Sequence, residues 1–113
     1  MNHTRLMASI AAASVLLSAT AMAQADPKKV ERAWKSKCAS CHGQTGKGDT
    51  DQGKQMKIGD LTAPAAQAKS DADFKKAILD GAKTPNGAMP PFKGDVTPEQ
   101  ADALVAYIRS LKK

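Results

Sequence analysis

A chain of 113 residues with a formal net charge of +6 is sized for one small domain. Aromatic residues are only 4% of it (Trp34, Phe74, Phe92 and Tyr107), too few for a self-sufficient core. They are not interleaved with the lysines, which argues against a nucleic-acid-binding surface.

The first element is a leader. Arg5 precedes a short apolar run, "MASIAAASVLL", which ends in "SATAMAQ" with small residues at Ala21 and Ala23. A charged start, a short apolar middle and an A-x-A end predict a secretory signal peptide over 1–23, cleaved after Ala23. The run is too short to span a bilayer, which takes about 20 residues, so no stable membrane insertion is expected. The expected mature domain is 24–113, exported to an oxidising compartment. Removing the leader removes His3 and leaves His42 as the only histidine.

The first predicted helix starts at Asp26-Pro27, a good cap followed by a good first residue. Val30, Ala33, Trp34 and Cys38 then recur at steps of three and four on one face. This helix leads into "CASCH", which holds both cysteines of the chain, Cys38 and Cys41, and His42.

Four chemistries use such a pair. A structural zinc site needs four ligands, and the mature chain offers two cysteines and one histidine. A thiol–disulfide oxidoreductase places Cys-x-x-Cys at the start of a helix after a strand, whereas here it ends a helix and no βαβ pattern exists. A plain disulfide would close a tiny loop and restrict the unfolded chain little. It would also leave His42 without a role. Covalent attachment of a c-type haem uses all three residues in this order: two thiols for the two vinyl groups and an imidazole for the iron. The haem, a large apolar plate, would also complete the thin core.

Beyond the motif, 43–69 is rich in glycine and polar residues and reads as a long loop. A second helix starts at Ser70, with Asp73 three residues on, Phe74, Ala77 and Ile78 on one face, and Gly81 as its stop. "AKTPNGAMPPFKGDV" reads as a second loop, with no strand anywhere in the chain. Loops this long in a small domain make sense if they wrap a bound object. The third helix opens with Thr97 as cap, Pro98 in the first turn and Gln100 as capping-box partner. Its apolar face is Ala101, Leu104, Val105, Ile108 and Leu111, and Arg109 sits where the helix dipole favours cations.

"AWKSKCASCHG", "GAMPPFKG" and "TPEQADALVAYIRSLKK", in this order, resemble a small bacterial class I (monohaem) cytochrome c over essentially all of 27–113. The resemblance implies an all-α fold: three main helices and long loops wrapped around one covalently bound haem c. It implies that the first and last helices cross near Trp34 and Tyr107. Val30 stands where many relatives carry glycine, so a wider or shifted crossing is expected. It implies Cys38 and Cys41 as attachment points, with His42 and Met89 as axial ligands of the iron. Prolines 90 and 91 stiffen the backbone that presents the Met89 sulfur. Met56, the other methionine beyond the leader, is expected as a loop or cavity contact. A proline carbonyl commonly holds the second nitrogen of the axial histidine, and Pro64 is the candidate here. Leu61, Ile58, Phe74, Ile78, Phe92 and Leu104 are expected in the haem-cavity wall.

The expected function is a soluble periplasmic one-electron carrier rather than an enzyme. Lys37, Lys83 and Lys93, beside the motif and the methionine loop, are candidates to steer acidic redox partner proteins. A monomer is expected. Two alternatives remain: a ligand-binding, sensor or peroxidase-like haem protein with a displaceable Met89, and a dedicated electron-accepting subunit of a periplasmic dehydrogenase. No second histidine and no Arg/His pair serves distal chemistry.

Overall fold

The computed structural model describes residues 26–112, so the expected leader lies outside the described residues. Helix α1 (Pro27–Ala33) starts as the sequence predicts. The Asp26 carboxylate accepts from the Lys28 backbone N–H, and Pro27 occupies the first turn. The helical run continues through a π-helical segment, Trp34–Cys38, into α2 (Ala39–His42). In the wide turn the Ala39 N–H reaches back to the Trp34 carbonyl. Such turns interrupt the regular helical spacing and are frequent at functional sites. Gly43, at φ 81°, ends the run.

The 43–69 stretch is not all loop. It holds α3 (Asp51–Met56), whose Thr50 cap accepts from the Gly53 N–H, and α4 (Pro64–Gln67). Helices this short have too few positions for an apolar period to show in the sequence. Helix α5 (Asp71–Asp80) is capped by the Ser70 hydroxyl, as expected.

The second loop also departs from expectation. Strands β1 (Ala82–Thr84) and β2 (Gly87–Met89) form an antiparallel hairpin that pairs Ala82 with Met89, Lys83 with Ala88 and Thr84 with Gly87. Three mostly exposed residues per strand leave no readable alternation. Helix α6 (Pro98–Ser110) carries the complete predicted capping box between Thr97 and Gln100.

The core forms where α6 meets α5 and the first helical run. Ala101, Leu104, Val105 and Ile108 of α6 pack with Phe74 and Ile78 of α5, and with Trp34, Cys38 and Ala39. Val96, which no periodicity marks, closes the cluster. The α1–α6 crossing lies at Trp34, whose ring centre is 5.3 Å from that of Tyr107 at 41°. Val30 and Ala33 line a groove of about 260 Å³ there, facing Leu104.

Arg109 does more than complement a dipole. Its Nη1 donates to the Gln67 carbonyl at 2.7 Å and its Nη2 to the Lys69 carbonyl at 2.6 Å. Its Nε donates to Asp71 at 2.9 Å, and the guanidinium lies 4.8 Å from the Phe74 ring centre. One side chain of α6 thus ties down the α4–α5 junction. Lys75 and Asp102, 3.0 Å apart, add a second α5–α6 link.

Candidate functional site

A cavity of about 650 Å³ opens between the Cys38–His42 turn, α3, α5 and the hairpin. Cys38, Cys41, His42, Leu61, Met89 and Phe92 all line it, as do Ile58, Phe74 and Ile78. The fold therefore brings together residues spread over half the sequence. One expected wall residue, Leu104, does not line it, and neither does Pro64, expected as the carbonyl partner of His42. Leu104 faces the core and the α1 groove, and Ile108, one turn further along α6, reaches the cavity instead. Pro64 is exposed at the start of α4, and its carbonyl accepts from the Ala68 N–H at 2.9 Å. Lys37 and Lys83 stand at the cavity, and Lys93 does not line it.

The geometry of the motif begins with a helix end. The last carbonyls of a helix lack intrahelical partners, and here three in a row find others. The Cys41 carbonyl accepts from the Thr50 hydroxyl at 3.0 Å. The His42 carbonyl accepts from the Gly48 N–H at 2.8 Å. The Gly43 carbonyl accepts from the buried Trp34 indole N–H at 3.2 Å. Gly53 lets α3 approach closely enough for this. A β-carbon there would lie 2.6 Å from the Gly48 carbonyl oxygen and would also collide with that of Cys41. The sequence reading missed these supports; "TGKGDT", glycines and threonines behind the motif, was the available signal.

Both cysteines are free. Burial pushes the Cys38 thiol up to about 11, so the folded polypeptide keeps it protonated. Burial lowers the His42 pKa below its ordinary value, which favours the neutral imidazole, the form able to bind a metal. The His42 ring is 6.0 Å from that of Trp34, and its Nδ1 is buried with no hydrogen-bond partner.

Met89 ends β2, half-buried at the cavity. The chain before and after it is constrained. Gly81 has φ 79°, and a β-carbon there would stand 2.6 Å from the Met89 carbonyl oxygen. Beyond Pro90 and Pro91, the Phe92 and Lys93 N–H groups donate to the Ile78 and Leu79 carbonyls of α5.

Among the described residues no cluster of three or more His, Cys, Asp or Glu offers a metal site, which weighs against the zinc reading. Two free thiols, a neutral imidazole and a thioether around one large, mostly apolar-walled cavity fit a haem.

The family described as cytochrome c oxidase, cbb3-type, subunit III, matches residues 25–108. The chain belongs to this family of c-type cytochromes. Its cofactor is therefore a covalently bound haem c. The solved KustC0563 c-type cytochrome is 33% identical, with a TM-score of 0.64, covering 74% of this chain and 96% of that one. A chain of the Kuenenia stuttgartiensis reducing HAO-like protein complex Kustc0457/Kustc0458 is 25% identical, with a TM-score of 0.58. That match covers 75% of this chain and 42% of that one. The c-type cytochrome NirC, 21% identical with a TM-score of 0.51, shares the fold. No curated protein matches the chain. The class I cytochrome c fold is thus shown, and electron transfer is the activity that the family and its neighbours support. No helix among the described residues is long and apolar enough to cross a membrane.

Proposed function

We propose that this cytochrome is an exported one-electron carrier, working in the periplasm, with His42 and Met89 as axial ligands of its haem iron. The observation that carries the reading is the convergence of Cys38, Cys41, His42 and Met89 on one cavity. Cys38 and Cys41 hold the haem by thioether bonds, and Leu61, Phe74, Ile78 and Phe92 exclude water from it. Bound there, the haem supplies a one-electron couple whose potential a thioether ligand raises. The chain's part is to hold both ligands in place while an electron passes. Rigid carbonyl anchoring behind His42 and the pinned segments around Met89 support that role. Acidic redox partners dock near Lys37 and Lys83 at the cavity, with Lys93 further out.

Absorption spectra of the oxidised and reduced holoprotein, with and without carbon monoxide, test the reading. A sharp reduced α-band, a weak far-red sulfur–iron band in the oxidised form and no response to carbon monoxide are expected. In Met89→Ala the far-red band disappears, the potential falls and carbon monoxide binds. An unchanged Met89→Ala spectrum would refute the assignment.

A second reading, the dedicated subunit, draws on the neighbour that forms part of a multi-chain complex. Co-purification of the native protein with a stoichiometric enzyme would favour it over a free shuttle.

A further inference from the structure

We infer that Asn86 and Met56 form a latch that holds the hairpin and thereby sets how readily Met89 leaves the iron. The inference rests on the His42/Met89 reading above. The starting point is the turn of the hairpin. Asn in such turns usually serves because it tolerates positive φ. Here Lys57 is the only non-glycine residue at positive φ among the described residues. Pro85 fixes the first turn position at negative φ, and Asn86 follows it without entering the left-handed region. The turn therefore does not use the property for which Asn is usually chosen.

The side chain is used elsewhere. Asn86 Nδ2 donates to the Gln55 carbonyl at 2.9 Å, across 31 residues of sequence. That carbonyl belongs to the last turn of α3, where intrahelical partners run out. The next residue, Met56, lies against the same hairpin. A β-carbon on Gly87 would meet Met56 Cε at 3.5 Å and Cγ at 3.8 Å, ordinary packing distances. Met56 also lines the haem cavity. A hydrogen bond to Gln55 and the Met56 side chain standing beside Gly87, both from adjacent residues of α3, thus meet the hairpin tip.

The hairpin needs such a grip. Ala82, Lys83 and Pro85–Ala88 are exposed, so little burial holds it. Its base is tied to α5 through the Phe92 and Lys93 amides, on the far side of Met89 from the tip. Met89 sits between these two attachments. When the tip swings away from α3, the strand carrying the sulfur moves with it, because β2 runs directly from Gly87 to Met89. Asn86 and Met56 are positioning residues in this scheme, acting on the iron only through Met89.

The test is the rate at which carbon monoxide combines with the ferrous holoprotein, a rate limited by loss of the sulfur ligand. Asn86→Asp keeps the shape and removes the donor; Asn86→Ala removes the side chain. Both are expected to speed combination about threefold or more, in line with loss of one hydrogen bond. Met56→Ala should do the same, and Met56→Leu, which keeps the volume, should restore most of the slow rate. Lys75→Ala, which breaks an exposed α5–α6 ion pair away from the hairpin, should leave the rate unchanged. Parent-like rates in Asn86→Asp, Asn86→Ala and Met56→Ala, with the far-red band intact, overturn the latch alone. Equal acceleration in Lys75→Ala also overturns it, by showing a general loosening. A parent protein with no far-red band and immediate carbon monoxide binding overturns the ligation reading and the latch together.

Discussion

Three carbonyls in succession, those of Cys41, His42 and Gly43, accept hydrogen bonds from Thr50, Gly48 and Trp34. This places His42, the proposed iron ligand, on a backbone that cannot tilt without breaking several contacts. Trp34→Phe keeps an apolar ring but removes the indole donor, leaving the buried Gly43 carbonyl with the Gly46 N–H alone, at 3.2 Å. A loss of about 0.5–1.5 kcal/mol of holoprotein stability is expected, read from urea unfolding followed by haem absorbance. Gly53→Ala should be worse than its small volume suggests, because the new methyl meets backbone oxygens of Cys41 and Gly48 that have no room to move. Its readout is a reduced yield of haem-containing protein. The His42 imidazole sets the acid limit. Burial lowers its pKa in the folded chain, while the unfolded chain takes up a proton near pH 6.5. The unfolded state thus binds more protons below that pH, and stability falls as pH drops through about 6.5. The proposed bond from iron to the ring acts with the same sign. Urea midpoints of the holoprotein measured at pH 7, 6 and 5 should decrease in that order.

At the scale of elements, Arg109 is the clearest case of a role hidden from the sequence. A basic residue in the last turn of a helix is already explained by the dipole, and nothing local indicates three carbonyl and carboxylate partners near 67–71. Arg109→Ala should cost about 2 kcal/mol or more, and Arg109→Lys should recover little. A lysine ammonium is a single point charge and cannot reach Gln67, Lys69 and Asp71 together. Urea unfolding of the two variants decides this. The same distinction separates what was legible from what was not. Helix α6 announces itself through Thr97, Pro98 and Gln100, because capping is chemistry between residues three apart. The Cys38–Cys41–His42 group is legible for the same reason. Helices α3 and α4 and the hairpin are each too short to carry a period. The Asn86–Gln55 bond spans distant segments, so it appears only once the chain is folded. The expectations for Pro64 and Leu104 came with the family resemblance, not from chemistry local to either residue. In the structure, the Pro64 carbonyl starts a helical turn and Ile108 takes the wall position expected of Leu104.

For the molecule as a whole, the core is thin and arranged around a large cavity. Apart from Trp34 and Phe74 its buried members are small or aliphatic, and they meet mainly along one side of α6. The haem-free chain should therefore be largely disordered at pH 7, with far-UV circular dichroism far below that of the holoprotein; a cooperatively melting apoprotein would contradict this. In the haem-free chain, whose Cys38 carries no thioether bond, that residue offers an independent reading. Its thiol is pushed up to about 11 by burial in the folded chain and returns to about 8.5 when exposed, so rapid alkylation at pH 8 reports the open state. The distribution of the core along the chain has a consequence for timing. The two thiols belong to the first helical run, whereas most of the core cluster that Cys38 joins comes from α5 and α6. On the proposed reading of an exported chain with Cys38 and Cys41 as attachment points, synthesis from the N-terminus presents both thiols long before the helix that covers Cys38. The machinery that joins haem to protein thus meets two accessible thiols on an open chain, and the arrival of α6 closes the product after the bonds are made.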